Sequence, residues 1–592
     1  MYRAPVEEIA FTLKHVAGLG DGLAQGVFGD LSEDLVDAIL TEAGRFASDE
    51  ITPLAEVGDR QGARLQDGKV VLPDGWGKLY QDWAAGGWNG LTASEEFGGQ
   101  ALPHMLNVAA LEMWNSASMA FALCPTLTMG AAEALATHGS EALKTIYLPK
   151  MVSGEWTGTM NLTEPHAGSD LGVLKTRAER RDDGSYRIFG QKIYITWGEH
   201  EATENIIHLV LARLPDARAG TRGISLFLVP KFLVSEDGSL AERNDLFCHS
   251  IEHKVGIHGS PTCTMIYGDG RFGSEKGAKG WLIGEENKGL ACMFTMMNNA
   301  RLAVGMQGVA ICEAATQKAI AYAKERTQGK APGWSGSGMS PIIEHPDVAR
   351  MLLTMKALTQ GARAISYACA HAIDMSHRAF DDRRKWQERA ALLTPIAKSF
   401  STDAGVDVAS LGIQVHGGMG FIEETGAARY WRDSRIAPIY EGTNGIQAID
   451  LVTRKLPLSD GEAVRSLIME MRAVAEAVKG SNEISLGNTA ERLEASIDDL
   501  QASTEWLLAQ LAEGKPSEAL AGATPYQRLF GLALTGSYLA KGALADDGEG
   551  RNEKRAALCR FAADNLLPET TALRETVTKG AVSLAAARAV LA

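Results

Sequence analysis

The spacing of apolar residues changes twice along this chain of 592 residues, and this limits the possible folds more than any other feature. From about residue 33 to 150, apolar residues recur every three or four positions, the period of helices that bury one face. Between about 156 and 290 the period falls to two, and the runs 206–211 and 224–229 are almost wholly apolar, which is typical of strands. Helical spacing then returns. The pattern therefore predicts helical, β and helical regions in that order.

A chain of this length exceeds what one hydrophobic core can organise, so several domains are expected. The changes of period place a helical N-terminal domain at 1–155, a β domain at 156–290, a helical bundle at 291–452 and a helical extension at 453–592. Turn signals between the strand-like runs favour seven or eight short strands in a closed barrel or a sandwich. The predicted fold class is therefore α+β and multidomain, with a β barrel in the middle.

The charge and the cysteines exclude several classes of function. A net charge of −15 argues against nucleic acid or an anionic membrane as the main partner. Seven scattered cysteines, with no Cys-x-x-Cys and no zinc-like spacing, predict reduced core thiols and no metal site. The first residues carry acidic groups where a secretory signal needs a basic region, so export is not expected. We therefore expect a cytoplasmic protein.

One stretch resembles a membrane-spanning helix and another a dinucleotide-binding loop, but the residues in and around them argue against both. The uncharged stretch 113–132 is nearly long enough to span a membrane, but its polar residues and Pro125 favour a buried helix, a turn at Pro125 and a second helix. The segment 268–273 matches the dinucleotide pattern G-x-G-x-x-G, but Gly277 and Gly280 follow too closely for the helix that this pattern requires. We therefore predict a turn between strands at 268–273.

Residues 440–447, with the sequence YEGTNGIQ, place one carboxylate between an aromatic residue and a run of small ones. Gly442 lets the atoms of another molecule approach the backbone beside Glu441, as a buried general base would require. Taken alone, the stretch also fits a surface turn, because Glu-Gly and Asn-Gly are common turn dipeptides. A second stretch upstream, MNLTEPHAGSD at 160–170, favours the first interpretation.

Together these two stretches resemble the signatures of the acyl-CoA dehydrogenase family, in the same order and with a similar separation. The resemblance covers roughly residues 30–450 and implies that family's order of helical, β and helical domains. It also implies removal of the α proton of a thioester and of a hydride from its β carbon, which passes to N5 of FAD. The longer form with a helical extension is the most similar. Within that form, the resemblance is strongest to the branch that oxidises 3-methylmercaptopropionyl-CoA to methylthioacryloyl-CoA.

The base of the reaction is identified by the same resemblance. Glu441 matches the base of most members, whereas some branches carry it just before an arginine that corresponds to Arg301. That position holds Ala300, which cannot accept a proton. The backbone N–H of Glu441 and a ribityl hydroxyl of FAD would bind the thioester oxygen. An apolar, flavin-covered pocket should raise the pKa of Glu441.

The resemblance implies a set of contacts to FAD. Tyr194 stands where tryptophan is usual and Gly445 where glutamine is common, so both depart from the family pattern. Arg326 and the segment QVHGGMG at 414–420 match contacts to the FAD of a neighbouring subunit, which requires at least a dimer. The implied cofactor residues are Met160, Leu162, Thr163, Gly168, Ser169, Tyr194, Thr196, Arg326, Gln414, Gly417, Gly418, Thr443 and Gly445.

The substrate contacts and the partner also follow from the resemblance. Arg301 matches a residue near the pantetheine of coenzyme A, and Ser169 one near its adenylate end. Asn298 stands where aspartate is frequent, and Gly442 adjoins the base. The implied partners are an acyl-CoA substrate, electron-transferring flavoprotein as electron acceptor, and a second copy of the chain.

Other readings remain open at this point. A dehydrogenase of short or medium straight-chain acyl-CoA, or an acyl-CoA oxidase, would share the same base. A non-catalytic DNA-binding flavoprotein of the same fold would need a basic face, which the net charge disfavours. The tail shows a helical seam but no catalytic group, so we predict that it packs on other helices and that the protein is a dimer. The seam consists of Leu493, Ile497, Leu500, Thr504 and Leu507.

Overall fold

Long helices form most of the computed structural model, which describes residues 1–273, 275–379, 381–481, 483–545 and 552–591. In chain order the helices are α1 (Val6–Phe11), α2 (Leu19–Ala24), α3 (Glu33–Phe46), α4 (Thr52–Gln61), α5 (Trp76–Ala85), α6 (His104–His138), α7 (Glu141–Val152), α8 (Gly289–Glu325), α9 (Pro346–Arg378), α10 (Arg383–His416), α11 (Ala427–Ser434), α12 (Asn444–Asp450), α13 (Glu462–Ser481), α14 (Thr489–Ala512), α15 (Pro516–Ala521), α16 (Ala523–Leu544), α17 (Asn552–Asn565) and α18 (Glu569–Ala587). The predicted alternation of helical, β and helical regions is confirmed.

The strands lie mainly in the predicted β region. In chain order they are β1 (Arg64–Gln66), β2 (Lys69–Val71), β3 (Thr157–Asn161), β4 (Arg177–Arg180), β5 (Tyr186–Thr196), β6 (Ile206–Ala212), β7 (Ser225–Pro230), β8 (Phe232–Val234), β9 (Leu240–Arg243), β10 (Leu246–Ile251), β11 (Thr262–Tyr267) and β12 (Ala278–Ile283). The pairs β1–β2 and β8–β9 form small sheets, and the other strands form one sheet of eight. The hairpin β1–β2 was not predicted.

The large sheet is open, which corrects the prediction of a closed barrel. Its order is β10-β11-β5-β12-β7-β6-β3, with β4 added beside β5. Among the described residues no pairing joins β10 to β3, so the path does not return to its start. The long strand β5 pairs with β4 and β12 along its first half and with β11 along its second. Branching at β5 provides three neighbours for one strand without closing the sheet.

The two apolar runs are continuous because the sheet is buried on both faces. Every residue of β6 and β7 is buried. Leu209 and Leu228 belong to one hydrophobic cluster, with residues of α6 and α7, whereas Val210 and Phe227 belong to another. Successive residues of a strand point to opposite faces, so two cores require apolar residues at every position.

The segment 268–273 connects β11 to β12 and forms the predicted turn rather than a nucleotide loop. The carboxylate of Asp245 accepts hydrogen bonds from the backbone N–H groups of Gly270, Arg271 and Gly277 at 2.8, 2.9 and 2.9 Å. These N–H groups are therefore occupied by a carboxylate of the chain itself.

Helix α6 contains the long uncharged stretch, and it breaks at a different place from the one predicted. Ser118 has extended backbone angles inside the helix (φ −157°, ψ 101°), while Pro125 lies within a continuous helical part. Among the described residues, α6 is the helix that could cross a membrane by length and composition, but 78% of its most apolar window is buried in the protein.

The chain divides into two compact units. Unit 1 comprises Met1–Arg45, His104–Ser116 and Arg301–Ala592, and unit 2 comprises Phe46–Pro103 and Ala117–Ala300.

A buried ion cluster ties three helices of unit 1 together. Arg363 of α9, whose side chain is 1% exposed, binds the carboxylate of Glu112 on α6 through Nε and Nη2, at 2.9 and 2.6 Å from Oε1. Its Nη2 also lies 2.7 Å from Glu313 Oε2 on α8, and Tyr367 donates to Glu112. Burial acts to raise the pKa of Glu313, but Arg363 outweighs it and the pKa is lowered.

The tail packs closely on the bundle of unit 1. A Cβ added to Gly361 of α9 would lie 2.3 Å from the Thr535 side chain on α16, and one added to Gly531 of α16 would lie 2.2 Å from the Phe400 ring on α10. Glycine therefore sets the helix separation on both sides of the contact. The five residues of the predicted seam are all buried on α14, so the prediction of a packing face is confirmed.

The first residues of the chain dock on the same tail. Phe11 and Val16 form a small cluster with Ala364, and Tyr538 packs against it. Lys541 Nζ donates to the carbonyl of Val16 at 2.8 Å, across 525 positions of sequence. The N-terminal segment and helix α16 therefore pack against each other.

We expect Arg363→Leu to lower the free energy of unfolding by about 3–5 kcal/mol, since it leaves buried carboxylates without their partner. The measurement is chemical unfolding followed by circular dichroism. Arg350→Leu is the matched control, because Arg350 lies on the same helix with its side chain 52% exposed, paired with an exposed aspartate. Its loss should stay below about 1 kcal/mol. Equal losses for the two variants would contradict the structural role of the cluster.

Candidate active site

Glu441 lies in the short connection between α11 and α12 and has an unusual backbone. Its φ is +56°, in the left-handed region, and that of Gly442 is +86°. Glycine adopts this conformation freely, but glutamate does so at a cost in free energy, which must be offset by the surrounding structure. Strain of this kind is common at functional sites.

Two hydrogen bonds hold this connection in place. The amide of Gln447, a buried residue of α12, donates to the carbonyl of Glu441 at 3.3 Å. The backbone N–H of Asn444 donates to the carbonyl of Pro438 at 3.0 Å and closes the loop at its base. In contrast, the backbone N–H groups of Glu441 and Gly442 have no acceptor in the part of the chain that the structure describes. Two donors therefore stand open beside the carboxylate.

The surroundings of Glu441 favour its neutral form more than water does. Burial raises the pKa of Glu441 to about 7, although the positive charges of Arg301 and Lys398 act to lower it. Arg301 itself lies 3.9 Å from Asp450, and its charge is therefore shared between two carboxylates. A carboxyl group with this pKa exists in both forms near neutral pH, as a general base requires.

Tyr440 precedes Glu441, and its own aromatic ring is anchored in the bundle. Its hydroxyl donates to the amide oxygen of Gln307, a buried residue of α8. Burial, and then the charge of Glu441, raise the pKa of Tyr440, so it remains a neutral donor. The anchor fixes the residue that directly precedes the strained backbone.

Lys398 is a charged residue of this site that sequence reasoning missed. It lies on α10, is fully buried, and donates to the amide oxygen of Asn444 at 2.8 Å. The amide nitrogen of Asn444 in turn donates to Asp403 at 2.7 Å. Burial lowers the pKa of Lys398 to about 8, against the opposing charges of Asp403 and Glu441. A single lysine in a stretch of small, hydroxyl and apolar residues at 391–402 is the sequence signal that would have found it.

The first set of expected cofactor residues lies in unit 2, where two distant stretches adjoin. Met160 lies on β3, and Leu162 and Thr163 follow it. The carbonyl of Thr163 accepts from the backbone N–H of Ile193 at 2.9 Å. The hydroxyl of Thr159 donates to the carbonyl of Thr196 at 2.7 Å. The last part of β5 therefore runs alongside β3 and the segment after it, with Ile193 beside Thr163 and Thr196 beside Thr159.

Tyr194 lies between these residues on a β-bulge. The register passes from Ile195 opposite Cys263 to Lys192 opposite Met265, so β5 carries one extra residue here. Tyr194 has φ +60°, and the residue is 60% exposed. An exposed ring on a strained backbone is unfavourable without a partner. A planar aromatic cofactor would cover it, and the residues present therefore fit the isoalloxazine of a flavin.

A buried ion pair braces the loop that continues from Thr163. Lys192 is fully buried, and its Nζ lies 2.9 Å from Oε1 of Glu164 and 2.9 Å from the carbonyl of Leu162. Farther along, Gly168 and Ser169 are exposed, and nothing lies within 4 Å of a Cβ added to Gly168. The exposed loop therefore has a fixed base and open space, which a pyrophosphate could fill.

The residues expected to contact a neighbouring subunit lie together in unit 1. Arg326 follows the end of α8, and Gln414 lies in the last turn of α10. The rings of Tyr322 and His416, near these two helix ends, stack at 4.4 Å. The expected residues Arg326, Gln414, Gly417 and Gly418 are all exposed.

Two further expected cofactor residues, Thr443 and Gly445, lie at the start of α12. Thr443 caps α12, accepting a hydrogen bond from the backbone N–H of Ile446 at 3.3 Å, and Gly445 is exposed in the first turn. The side chain of Asn298 lies outside the described part of the structure. All seven cysteines are buried and unpaired. In the described part of the chain, no group of three or more His, Cys, Asp or Glu could hold a metal ion.

Four family models match the chain in succession. They are described as acyl-CoA dehydrogenase, N-terminal domain, at residues 34–155, acyl-CoA dehydrogenase, middle domain, at 159–269, acyl-CoA dehydrogenase, C-terminal domain, at 287–456, and acetyl-CoA dehydrogenase C-terminal like at 467–588.

Relatives cover nearly the whole chain. A protein of Ruegeria pomeroyi named 3-methylmercaptopropionyl-CoA dehydrogenase is 46% identical over 93% of this chain and 92% of its own length. A butyryl-CoA dehydrogenase of Syntrophomonas wolfei is 36% identical over 79% of this chain and 78% of its own. A solved acyl-CoA dehydrogenase of Bacillus anthracis complexed with FAD has the same fold, with a TM-score of 0.73 at 21% identity over 93% of this chain and 88% of that one.

Proposed function

The chain belongs to the acyl-CoA dehydrogenase family, and on that premise we propose that it oxidises a short acyl-CoA thioester with Glu441 as the base. One observation carries the assignment of the base. Glu441 is a carboxyl group with a pKa of about 7, and the backbone donors of Glu441 and Gly442 beside it have no acceptor among the described residues. A proton acceptor and an open hydrogen-bond donor are the two groups that α-proton removal from a thioester requires.

Each residue of the site has a role in this reaction. The carboxylate of Glu441 accepts the α proton. The backbone N–H of Glu441 donates to the thioester oxygen, where negative charge develops, and the rigid loop keeps that donor in place. Arg301 and Lys398 keep a fraction of Glu441 ionised despite its burial. Arg301, with Ser169 and Asn298, is proposed to contact coenzyme A.

The cofactor is FAD. Its chemistry when bound is acceptance of the hydride that leaves the β carbon. We propose that the exposed ring of Tyr194 and the adjoining segments around Thr163 and Thr196 hold the isoalloxazine, while Gly168 and Ser169 contact the pyrophosphate. Arg326 and residues 414–418 would serve the FAD of a second copy of the chain. Reduced cofactor would pass its electrons to electron-transferring flavoprotein, in a reducing cytoplasmic compartment that suits seven free thiols.

The proposed substrate is 3-methylmercaptopropionyl-CoA, which would become methylthioacryloyl-CoA. The support is the relative that is 46% identical over nearly the whole chain and carries that substrate in its name. A thioether is apolar and polarizable and needs no charged partner, so a pocket for it resembles one for a short acyl chain.

We expect kcat/KM to be highest for 3-methylmercaptopropionyl-CoA in a series that also contains butyryl-, valeryl-, octanoyl- and palmitoyl-CoA. Butyryl-CoA is one chain atom shorter, a misfit that costs about 1–3 kcal/mol, so it should be about 10–200-fold poorer. Valeryl-CoA has the same chain length, with a methylene in place of sulfur, so it should be the strongest competitor in the series. The measurement is anaerobic reduction of the bound flavin, which also distinguishes a dehydrogenase from an oxidase when it is repeated in air. A maximum at octanoyl-CoA or longer would overturn the proposed substrate.

We expect Glu441→Gln to lower kcat/KM by about 10²–10⁴-fold or more while flavin occupancy stays complete, because the amide cannot accept a proton. In the wild type, kcat/KM should rise with pH through an inflection near 7, because the carboxylate is the reactive form and its pKa is raised. Glu424→Gln, at an exposed glutamate just before α11, is the control and should change neither quantity. Activity of Glu441→Gln within about tenfold of wild type would exclude Glu441 as the base.

We expect the protein to be a homodimer that loses FAD when the dimer is broken. We propose that the tail, which packs on α9 and α10, takes the place of a second pair of subunits, and the residues proposed for a partner's FAD are exposed. Light scattering measures the mass, and gel filtration with flavin absorbance measures occupancy. A stable tetramer at low concentration, or a monomeric variant with full flavin, would contradict this arrangement.

A further inference from the structure

Two buried glutamines hold the residues on either side of the proposed base, and each uses only one end of its amide. Gln447 of α12 donates through Nε2 to the carbonyl of Glu441 at 3.3 Å. Gln307 of α8 accepts through Oε1 from the hydroxyl of Tyr440. Among the described residues, Gln447 Oε1 and Gln307 Nε2 have no hydrogen-bond partner. A buried polar atom without a partner is costly, so packing alone does not explain glutamine at either position.

The bond from Gln447 sets the direction of the peptide group that follows the base. In a planar trans peptide, the C=O and N–H groups point in opposite directions. Because Gln447 holds the carbonyl of Glu441 on its own side, the N–H of Gly442 points away from Gln447. That N–H has no acceptor in the part of the chain that the structure describes. Gln447 therefore determines on which side of the loop this open donor lies.

The amide of Gln447 also fills the space that a side chain at position 442 would need. A Cβ added to Gly442 would lie 2.7 Å from Gln447 Nε2, and Gly442 has φ +86°. The close approach and the left-handed backbone both favour glycine at this position. Gln447 therefore meets both residues of the strained turn, since it binds the carbonyl of Glu441 and packs against Gly442.

The residue before the base is held from a different helix. The hydroxyl of Tyr440 is bound by Gln307 of α8, whereas Gln447 belongs to α12. Glu441, with φ +56°, therefore lies between two attachments. A glutamate in the left-handed region is unfavourable and persists only where the surrounding contacts fix it. The two amide bonds are contacts of that kind.

We propose that Gln447 and Gln307 are positioning residues for the dehydrogenation, and that they hold the strained backbone of Glu441 from both sides so that its carboxylate keeps one arrangement. This inference rests on the proposed function and deepens it. A base that is already in its reactive geometry raises the rate of the chemical step, and a displacement of about 1 Å can cost about 10²-fold. Loss of either glutamine should therefore lower kcat more than it raises KM.

The test compares Gln447→Met and Gln307→Met with Gln527→Met in the whole chain with bound FAD. Methionine is similar in length and volume but has no amide. Gln527 is the matched control, because it is a buried glutamine of unit 1 whose Nε2 donates to a backbone carbonyl, that of Pro395, at 2.9 Å. Its bond joins α16 to α10 rather than to the loop of the base. The readouts are flavin occupancy, the unfolding midpoint, and kcat and KM for the best acyl-CoA of the series.

We expect kcat of Gln447→Met and of Gln307→Met to fall by about 10–10²-fold, while KM changes by less than about threefold. Gln527→Met should lower the unfolding midpoint by a similar amount, because it also loses one buried hydrogen bond, but should leave kcat and KM unchanged. Tyr440→Phe removes the other partner of the Gln307 bond. Its kcat should match that of Gln307→Met, and combining the two should cost little more, because both remove the same bond.

A kcat within about threefold of the wild type, in either flavin-loaded glutamine variant, overturns the two-sided arrangement. A raised KM with unchanged kcat does so too, because the glutamine would then bind substrate rather than position the base. Failure of Gln447→Met or Gln307→Met to load flavin while Gln527→Met loads it also overturns the inference, since that residue would be needed for the fold. Failure of the proposed function looks different. In that case the wild type reduces its flavin with no acyl-CoA of the series, or Glu441→Gln remains active.

Discussion

Both the packing of unit 1 and the properties of its candidate site depend on how charged side chains are buried and paired. Arg363 meets two carboxylates at ion-pair distance, and its guanidinium satisfies them in a geometry that joins α6, α8 and α9. Glu441 lies in the same unit with far less compensation, since its cations act on it without a close ion pair among the described residues. The fully paired charges stabilise the packing of the bundle, whereas Glu441, partly buried and incompletely paired, has a raised pKa. The two sites therefore separate the charges that support the fold from the carboxyl group proposed as the base.

In unit 2, a residue with a strained backbone likewise lies beside a buried ion pair. Tyr194 holds an exposed ring on a left-handed backbone, and a β-bulge provides the extra residue that this requires. Behind it, the buried pair of Lys192 and Glu164 fixes the start of the neighbouring loop. Tyr194, which is proposed to face the cofactor, is therefore strained, while the residues that hold the adjoining loop are buried and paired. Such a division allows the site to be rigid before any ligand binds.

The spacing of residues along the sequence predicted the fold better than it predicted the geometry of the candidate site. The spacing of apolar residues predicted where the helices and strands lie, because a helix repeats every three or four residues and a strand every two. The closed barrel was wrong because sheet closure depends on which edges pair, and period does not report pairing. The break of α6 at Ser118 was missed because Pro125 is the stronger local signal. Two motifs led to Glu441, but its left-handed backbone and the buried Lys398 depend on tertiary contacts that no short stretch encodes.

The docking of the first residues on the tail has a consequence for synthesis. Val16 and the lysine that binds its carbonyl are 525 positions apart. At about 5–20 residues per second, roughly half a minute to two minutes passes between the emergence of these two residues from a ribosome. Throughout that interval Phe11 and Val16 lack the partners from α16 that cover them in the finished protein. Phe11 and Val16 are therefore synthesised long before they can reach their final packing, and a ribosome-bound chain leaves them exposed during that time.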